Sequence, residues 1–164
     1  MTADRRDPAL ETLFLPFETG LLSWPNEGGA LFLRARDGWP LRQQPRPGLI
    51  CEQSFKPDAE ALQRSGWTVG DPESMDTTMR YPLVLLLPPR QRDEARALFA
   101  QALQRCAPGG LVVACIANDE GAKSGEGDFK RLCGLDGNLT KHHCRVFWSR
   151  REDARVDAAL LAQW

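Results

Sequence analysis

The sequence predicts an α/β fold organised on a doubly wound, mostly parallel sheet. Two apolar runs and the segment between them predict it. Tyr81–Leu87 (YPLVLLL) and Leu111–Ala117 (LVVACIA) are apolar at almost every position rather than at alternate ones, a pattern suited to strands covered on both faces. Between them Ala95, Leu98, Phe99, Ala102, Leu103 and Cys106 recur at intervals of three and four, which is one face of a helix. Two buried strands joined by a helix form a right-handed crossover, and therefore a parallel pair.

The remaining elements follow in chain order. Asp7-Pro8 reads as an N-cap and first-turn proline, opening a short helix to about Phe14 that Pro16 ends. Leu13, Phe14, Leu15, Phe17, Leu21, Leu22 and Trp24 form an apolar cluster for the sheet to bury, and Pro25–Gly29 is a turn. Ala30–Ala35 is the first strand, Arg36-Asp37-Gly38 a loop, and Trp39–Pro47 too proline-rich for a long helix. Leu49–Phe55 is the second strand, Pro57–Ser65 a helix stopped by Gly66, and Trp67–Val69 a short edge strand. Gly70–Arg80 is a polar loop in which mobility is expected. In the helix after the central strand, Asp93 and Glu94 in the first turn and Arg105 in the last match the helix dipole. Pro108-Gly109-Gly110 closes that helix. Asp119–Glu126 reads as a glycine-rich loop, Gly127–Leu132 as a short helix, Leu139–Ser149 as one final strand, and residues 150–164 as helical.

The 164 residues fit a single domain of ordinary size, with 26% charged and 42% hydrophobic residues, and length enough for a real core. No apolar run approaches the roughly 20 residues of a membrane helix. The first residues, MTADRRDPALE, hold no apolar signal segment, so a cytoplasmic location with no membrane partner is expected. Five cysteines without a CxxC pair read as reduced thiols. The net charge of −1 hides an asymmetry: residues 1–79 carry 8 Lys/Arg against 12 Asp/Glu, whereas residues 80–151 carry 12 against 7. Seventeen of the 21 cations are arginine, whose planar fork suits phosphate, although a GC-rich coding sequence produces the same bias.

At this point the residues carry a resemblance. A helix running into Ala107-Pro108-Gly109-Gly110 before Leu111-Val112-Val113 is similar to class I S-adenosylmethionine-dependent methyltransferases. More narrowly, the chain resembles the N-terminal domain of the two-domain ribosomal RNA guanine-N2 methyltransferases, the "methyltransferase small" family with a duplicated Rossmann-like domain. The likeness rests on Leu85-Leu86-Leu87-Pro88-Pro89-Arg90, on Ala117–Ser124 (ANDEGAKS, against E-N-x-x-G-x-[KR]-S), and on Lys141–Trp148 leading into an aromatic strand. It spans roughly residues 8–150.

The resemblance implies a Rossmann-like, class I methyltransferase-like sheet of about six or seven strands over residues 1–150. Residues 151–164 would be a helical tail or linker toward a C-terminal domain that lies beyond Trp164. It implies that the C-terminal domain binds S-adenosylmethionine and does the chemistry. This copy would support it and touch ribosomal RNA, with no cofactor of its own. An active enzyme with a divergent pocket and a purely structural interaction domain are the alternatives.

The residues bear on this directly. A cofactor site of this fold needs a glycine-rich turn after its first strand and an acid ending its second. Here the first strand runs into Leu33-Arg34-Ala35-Arg36-Asp37-Gly38, with one glycine and no G-x-G; Glu52 could be the acid, but a solvated or salt-bridged role fits it better. Methylation of exocyclic amines calls for an Asn/Asp-Pro-Pro-aromatic turn, and Leu87-Pro88-Pro89-Arg90 lacks both the polar acceptor and the ring. No catalytic, cofactor or metal residue is therefore assigned. Cys133, His142, His143 and Cys144 could be drawn as a zinc site, but neighbours on a strand alternate faces, so His142, His143 and Cys144 cannot all converge on a metal. Gly121–Gly127 lacks the G-K-[ST] of a P-loop. RNA contact remains, through Arg90, Lys123, Lys130, Arg131, Lys141, His142 and Arg145, with Trp148 or Phe129 nearby.

Overall fold

A computed structural model of the chain describes residues 6–71 and 76–164. Its centre is one seven-stranded sheet with strand order β3-β2-β1-β4-β5-β7-β6. The strands are β1 (Ala30–Leu33), β2 (Leu49–Glu52), β3 (Thr68–Gly70), β4 (Tyr81–Leu86), β5 (Cys106–Ala117), β6 (Gly137–Lys141) and β7 (Cys144–Arg150). The first five are mutually parallel: Phe32 stands opposite Cys51 on β2 and Leu85 on β4, and Val84 opposite Val112 on β5. β7 runs antiparallel to β5, with Ala114 opposite Phe147, and β6 antiparallel to β7.

Helices cover both faces. α1 (Pro8–Glu18), α2 (Trp39–Arg42) and α3 (Lys56–Arg64) precede β4; α4 (Arg92–Arg105), α5 (Ala122–Cys133) and α6 (Ala158–Gln163) follow it. Leu10, Leu13 and Phe14 of α1 and Leu62 of α3 bury against Phe32, Cys51, Leu85, Val113 and Val146. On the other face Phe99 and Leu103 of α4 and Phe129 and Leu132 of α5 bury against Leu31, Val84, Val112 and Phe147. Phe99, Phe129 and Phe147 meet edge to face, with centroids 5.1–6.1 Å apart, the arrangement the ring quadrupole favours. Alternation along β4 and β5 thus feeds two cores at once, which is why both strands are apolar throughout.

Several expected boundaries shift, each for a physical reason. α1 passes through Pro16 to Glu18, because buried Leu13, Phe14 and Phe17 hold its apolar face on either side of the hydrogen bond that proline cannot donate. The first two strands end early, at Leu33 and Glu52, and Arg34 turns left-handed (φ 52°). Residues 106–110 belong to β5 rather than to a loop: the register with β4 jumps from Tyr81–Cys106 to Leu83–Leu111, a bulge in which a side chain at Gly110 would meet Cys106 Sγ at 2.7 Å. The expected glycine-rich loop is mostly helix. A short 3₁₀ turn (Asn118–Glu120) leads through left-handed Gly121 into α5, and Gly125 is there because a Cβ would collide with Ile116 Cδ1. Residues 72–75 of the predicted polar loop lie outside the described residues.

The expected last strand is a hairpin. His142 (φ 54°) and His143 (φ 59°) are both left-handed between paired Lys141 and Cys144, the signature of a type I′ turn. That turn is normally written Asn-Gly, so two histidines conceal it. The tail folds back: after a 3₁₀ turn (Asp153–Arg155), Asp157 caps α6 through Leu160 N at 3.1 Å. Val156, Leu160, Leu161 and Trp164 pack on the α4–α5 side, where the Arg96 guanidinium lies 5.2 Å from the Trp164 ring centre. No helix among the described residues is long and apolar enough to cross a membrane, and all five cysteines are free and buried.

The turn makes a measurable prediction. An L side chain in the left-handed region costs about 1–2 kcal/mol, so replacing His143 by Gly raises the unfolding free energy by about 1 kcal/mol. Urea denaturation with an unchanged m-value reads this directly.

Candidate functional site

In an open parallel sheet, ligands sit in the crevice outside the carboxyl ends of the strands. Here that crevice is built from the residues that follow β1, β2 and β4. Past β1 the chain turns at Arg34, and the Arg34 guanidinium reaches across to β4, where Nη1 donates to Leu87 O at 2.8 Å. Partial desolvation, with the Arg36 charge beside it, lowers the Arg34 pKa from its ordinary value, yet arginine remains a cation. Arg36 points the other way and forks onto Asp7, with Nε–Oδ2 2.7 Å and Nη2–Oδ1 2.9 Å. Asp7 also caps α1 through Leu10 N at 3.2 Å, so this ion pair ties the first helix to the β1 turn. Past β2, Gln53 spans the gap: its amide donates to Ala35 O at 2.7 Å and accepts from Phe55 N at 2.9 Å.

Glu52 is committed elsewhere. Its side chain is buried, with Arg105 Nη1 at 3.3 Å and Gln101 Nε2 at 3.4 Å, which matches the salt-bridged expectation. Leu87 is buried, and its carbonyl is already taken by Arg34. Pro88 is buried and Arg90 exposed.

A hollow of about 450 Å³ remains between these turns, lined by Arg34, Glu52, Gln53, Ser54, Phe55 and Asp58 among others. A second of about 340 Å³ continues past Arg34, Leu98 and Gln101 to Pro89. The Arg34 side chain occupies the turn after β1, where a cofactor site of this fold needs close backbone approach, and Glu52 at the end of β2 is held in a buried pair.

The expected RNA-contacting residues divide when placed in space. Asn118 N donates to His143 O at 2.8 Å, so the start of α5 and the β6–β7 turn are neighbours. Lys123, Lys141 and His142 are exposed there. Lys130 lies two turns along α5 on the same exposed face as Lys123. Arg145 is paired instead, with Nη1 3.0 Å from Glu126 Oε1. Phe129 and Trp148 are core residues, 1% and 9% exposed, so neither presents an exposed ring beside the basic residues. His142 and His143 sit in a turn rather than on a strand. Among the described residues no group of three or more His, Cys, Asp or Glu side chains could hold a metal ion.

One cluster has no local sequence signal. Asp128, buried on α5, receives bidentate hydrogen bonds from Arg92 (2.9 and 2.9 Å) and from Arg96 (3.0 and 3.2 Å) of α4, and Arg131 stands 3.9 Å away. Burial works against ionisation, but the guanidinium bonds outweigh it and hold the carboxyl at about 2. The cluster clamps α4 to α5, and Arg90, Arg92, Glu120 and Asp128 line one hollow there.

No model of a known protein family matches the sequence, and no curated protein sequence matches it. Solved structures do resemble the fold. The T. thermophilus 16S rRNA N2 G1207 methyltransferase (RsmC), solved with AdoMet and guanosine, superposes with a TM-score of 0.72 at 18% identity over 92% of this chain; the chain spans 40% of that protein's length. The N-methyltransferase NodS from Bradyrhizobium japonicum WM9 with S-adenosyl-L-homocysteine gives 0.67 at 13% identity, covering 87% of this chain and 86% of that one. A TehB-like SAM-dependent methyltransferase from Corynebacterium glutamicum gives 0.60 at 11% identity over 85% and 88%. The architecture is therefore the Rossmann-like class I methyltransferase fold.

The Asp128 clamp has a pH signature. Its folded pKa of about 2 lies below the roughly 3.9 of an unfolded aspartate. The contribution is present above about pH 4 and is lost as pH falls from 4 toward 2. Replacing Asp128 by Asn lowers stability at neutral pH by about 2 kcal/mol and removes that part of the acid transition, as thermal melts across a pH series will show.

Proposed function

We propose that the chain is a non-catalytic copy of the class I methyltransferase fold, serving as the N-terminal domain of a ribosomal RNA guanine-N2 methyltransferase. In this reading it supports a C-terminal catalytic domain that binds S-adenosylmethionine, and it contributes RNA contacts. The single observation that carries the loss of chemistry is the Arg34 bridge to Leu87 O. One side chain fills the turn that must admit a cofactor and ties it to the backbone at the entrance to the double-proline turn. Leu87 adds no acceptor of its own, and Arg90 no ring. The likeness to the 16S rRNA enzyme over 40% of its length supports a one-of-two-domains arrangement. RNA contact falls to exposed Lys123, Lys130, Lys141 and His142, with Arg90 and Arg131 beside the Asp128 clamp. Arg145, already paired to Glu126, contributes least of the seven.

Calorimetric titration of the full chain with S-adenosylmethionine is expected to show no binding; a micromolar constant would overturn this reading in favour of the active-enzyme alternative. RNA binding is expected to be salt-sensitive and largely indifferent to sequence. Reversing Lys123 and Lys130 to Glu lowers the salt slope by about 1 for each lysine–phosphate pair removed, with little change in sequence preference. Absence of RNA binding even at low salt removes the RNA role and leaves a purely structural interaction domain.

A further inference from the structure

On the surface built by α5 and the β6–β7 hairpin, arginine and lysine take different roles. Of the protein's four lysines, three fall here: Lys123, Lys130 and Lys141. All three are exposed. Unlike Lys56, which stands 3.9 Å from Glu60, they have no carboxylate at ion-pair distance among the described residues. The carboxylates of the same surface are spent on arginines. Glu126 accepts from Arg145 at 3.0 Å and from Asn138 at 2.8 Å, which ties α5 to the hairpin. Asp128 is held by Arg92 and Arg96, and Asp136 by Arg155 at 3.0 Å. The exposed acids Asp119 and Glu120 lie on the 3₁₀ turn ahead of Gly121 and bound the surface at that end.

The geometry is that of a track. Lys123 and Lys130 share one face of α5 with Gly127 exposed between them, and seven helical residues place them about 10 Å apart along the axis. Alternation along β6 turns Asn138 and Thr140 to the same side, opposite Phe147 and Arg145. Thr140 is exposed, and its hydroxyl makes no hydrogen bond among the described residues. The aromatic rings of this half of the molecule are committed. Phe129, Phe147 and Trp148 are buried, and Trp164 lies on the α4 side with the Arg96 guanidinium over its ring. The exposed rings of Trp39 and Phe55 belong to α2 and the start of α3, whose core residues pack on the other face of the sheet.

We infer that this surface binds the sugar–phosphate backbone of double-helical RNA, with Lys123 and Lys130 on phosphates, Lys141 and His142 extending the contact past the hairpin turn, and the Thr140 hydroxyl on a ribose 2′-hydroxyl. The inference rests on the RNA role proposed above and names the form of RNA it takes. Lysine is a point charge on a flexible stem, suited to a phosphate rather than to planar recognition of a base edge. Unpaired strands are held by stacking their bases on exposed rings, and the rings near this track are buried or covered. A flexible strand must also be ordered on binding, whereas a duplex arrives ordered. A double helix such as B-DNA releases about 0.9 counterions per phosphate neutralised, against about 0.7 for a single strand. Double-helical RNA is met across its wide minor groove, through 2′-hydroxyls and phosphates and largely by shape.

The test is fluorescence anisotropy of the full chain with a short RNA hairpin, the DNA hairpin of the same sequence, and an unpaired oligoribonucleotide of the same length, each across a salt series. The variants are the double reversal Lys123→Glu with Lys130→Glu, and Thr140→Val. All three side chains are exposed and valine suits a strand, so both variants keep the fold, as circular dichroism will confirm. The RNA hairpin is expected to bind about fivefold more tightly than the DNA hairpin, the effect of one hydrogen bond, and more tightly than the unpaired strand at every salt concentration. The double reversal lowers the salt slope for the RNA hairpin by about 2. Thr140→Val removes the preference for RNA over DNA and leaves the slope unchanged. An unpaired strand that binds as tightly as the hairpin overturns the inference while the RNA role stands. Hairpin binding that the double reversal leaves unchanged overturns the assignment to this surface. Equal affinity of the unaltered chain for the two hairpins, or a preference for RNA that survives Thr140→Val, overturns the ribose contact. Absence of binding to all three at low salt overturns the inference together with the RNA role.

Discussion

The architecture depends on β4 having to bury both faces and both edges at once. From Leu83 to Leu86 its backbone is paired to β1 on one side and β5 on the other, which satisfies those buried N–H and C=O groups. Its side chains alternate between two cores, Leu83 and Leu85 toward α1, Val84 and Leu86 toward α4. A strand with these demands needs helices on both faces and parallel neighbours reached by crossovers. Once those are in place, the turns after β1, β2 and β4 converge at one end of the sheet, and the crevice between them is a consequence of topology rather than of any one motif.

What fills that crevice is set by two arginines with different partners. Arg36 locks to Asp7 and so anchors α1; Arg34 turns inward and closes on Leu87 O. The same pair of turns with a glycine at position 34 would leave the backbone open. Glu52, standing where a ribose-binding acid would end the second strand, is instead drawn down onto Arg105 and Gln101 of α4. Arg36 and Glu52 at the open end of the scaffold are thus spent on internal ion pairs.

Much of the candidate site is legible from residue types. The missing glycines after β1 and the apolar Leu87 can be read without coordinates, because backbone approach and hydrogen-bond acceptance are properties of single residues. The basic surface is only half legible. Lys123 and Lys141 are exposed neighbours, as their residue types suggest, but Arg145 pairs with Glu126, nineteen positions away, and Phe129 and Trp148 belong to the core. The Arg92–Asp128–Arg96 clamp joins residues thirty-two to thirty-six apart, and no local pattern announces it. The His142–His143 turn escapes a reading of residue types because its conformation comes from the pairing of β6 with β7, against the preference of the residues in it.

The sequence by itself determined the layer order. Uninterrupted apolar runs at Tyr81–Leu87 and Leu111–Ala117 can only be satisfied inside a two-faced sheet, and helical periodicity between them dictates the crossover. Only the tertiary structure decided which charges are free. A guanidinium is spent or available according to whether a carboxylate lies within a few ångströms, and for Arg34, Arg36, Glu52, Asp128 and Arg145 that partner comes from a different element of the fold, or does not come at all.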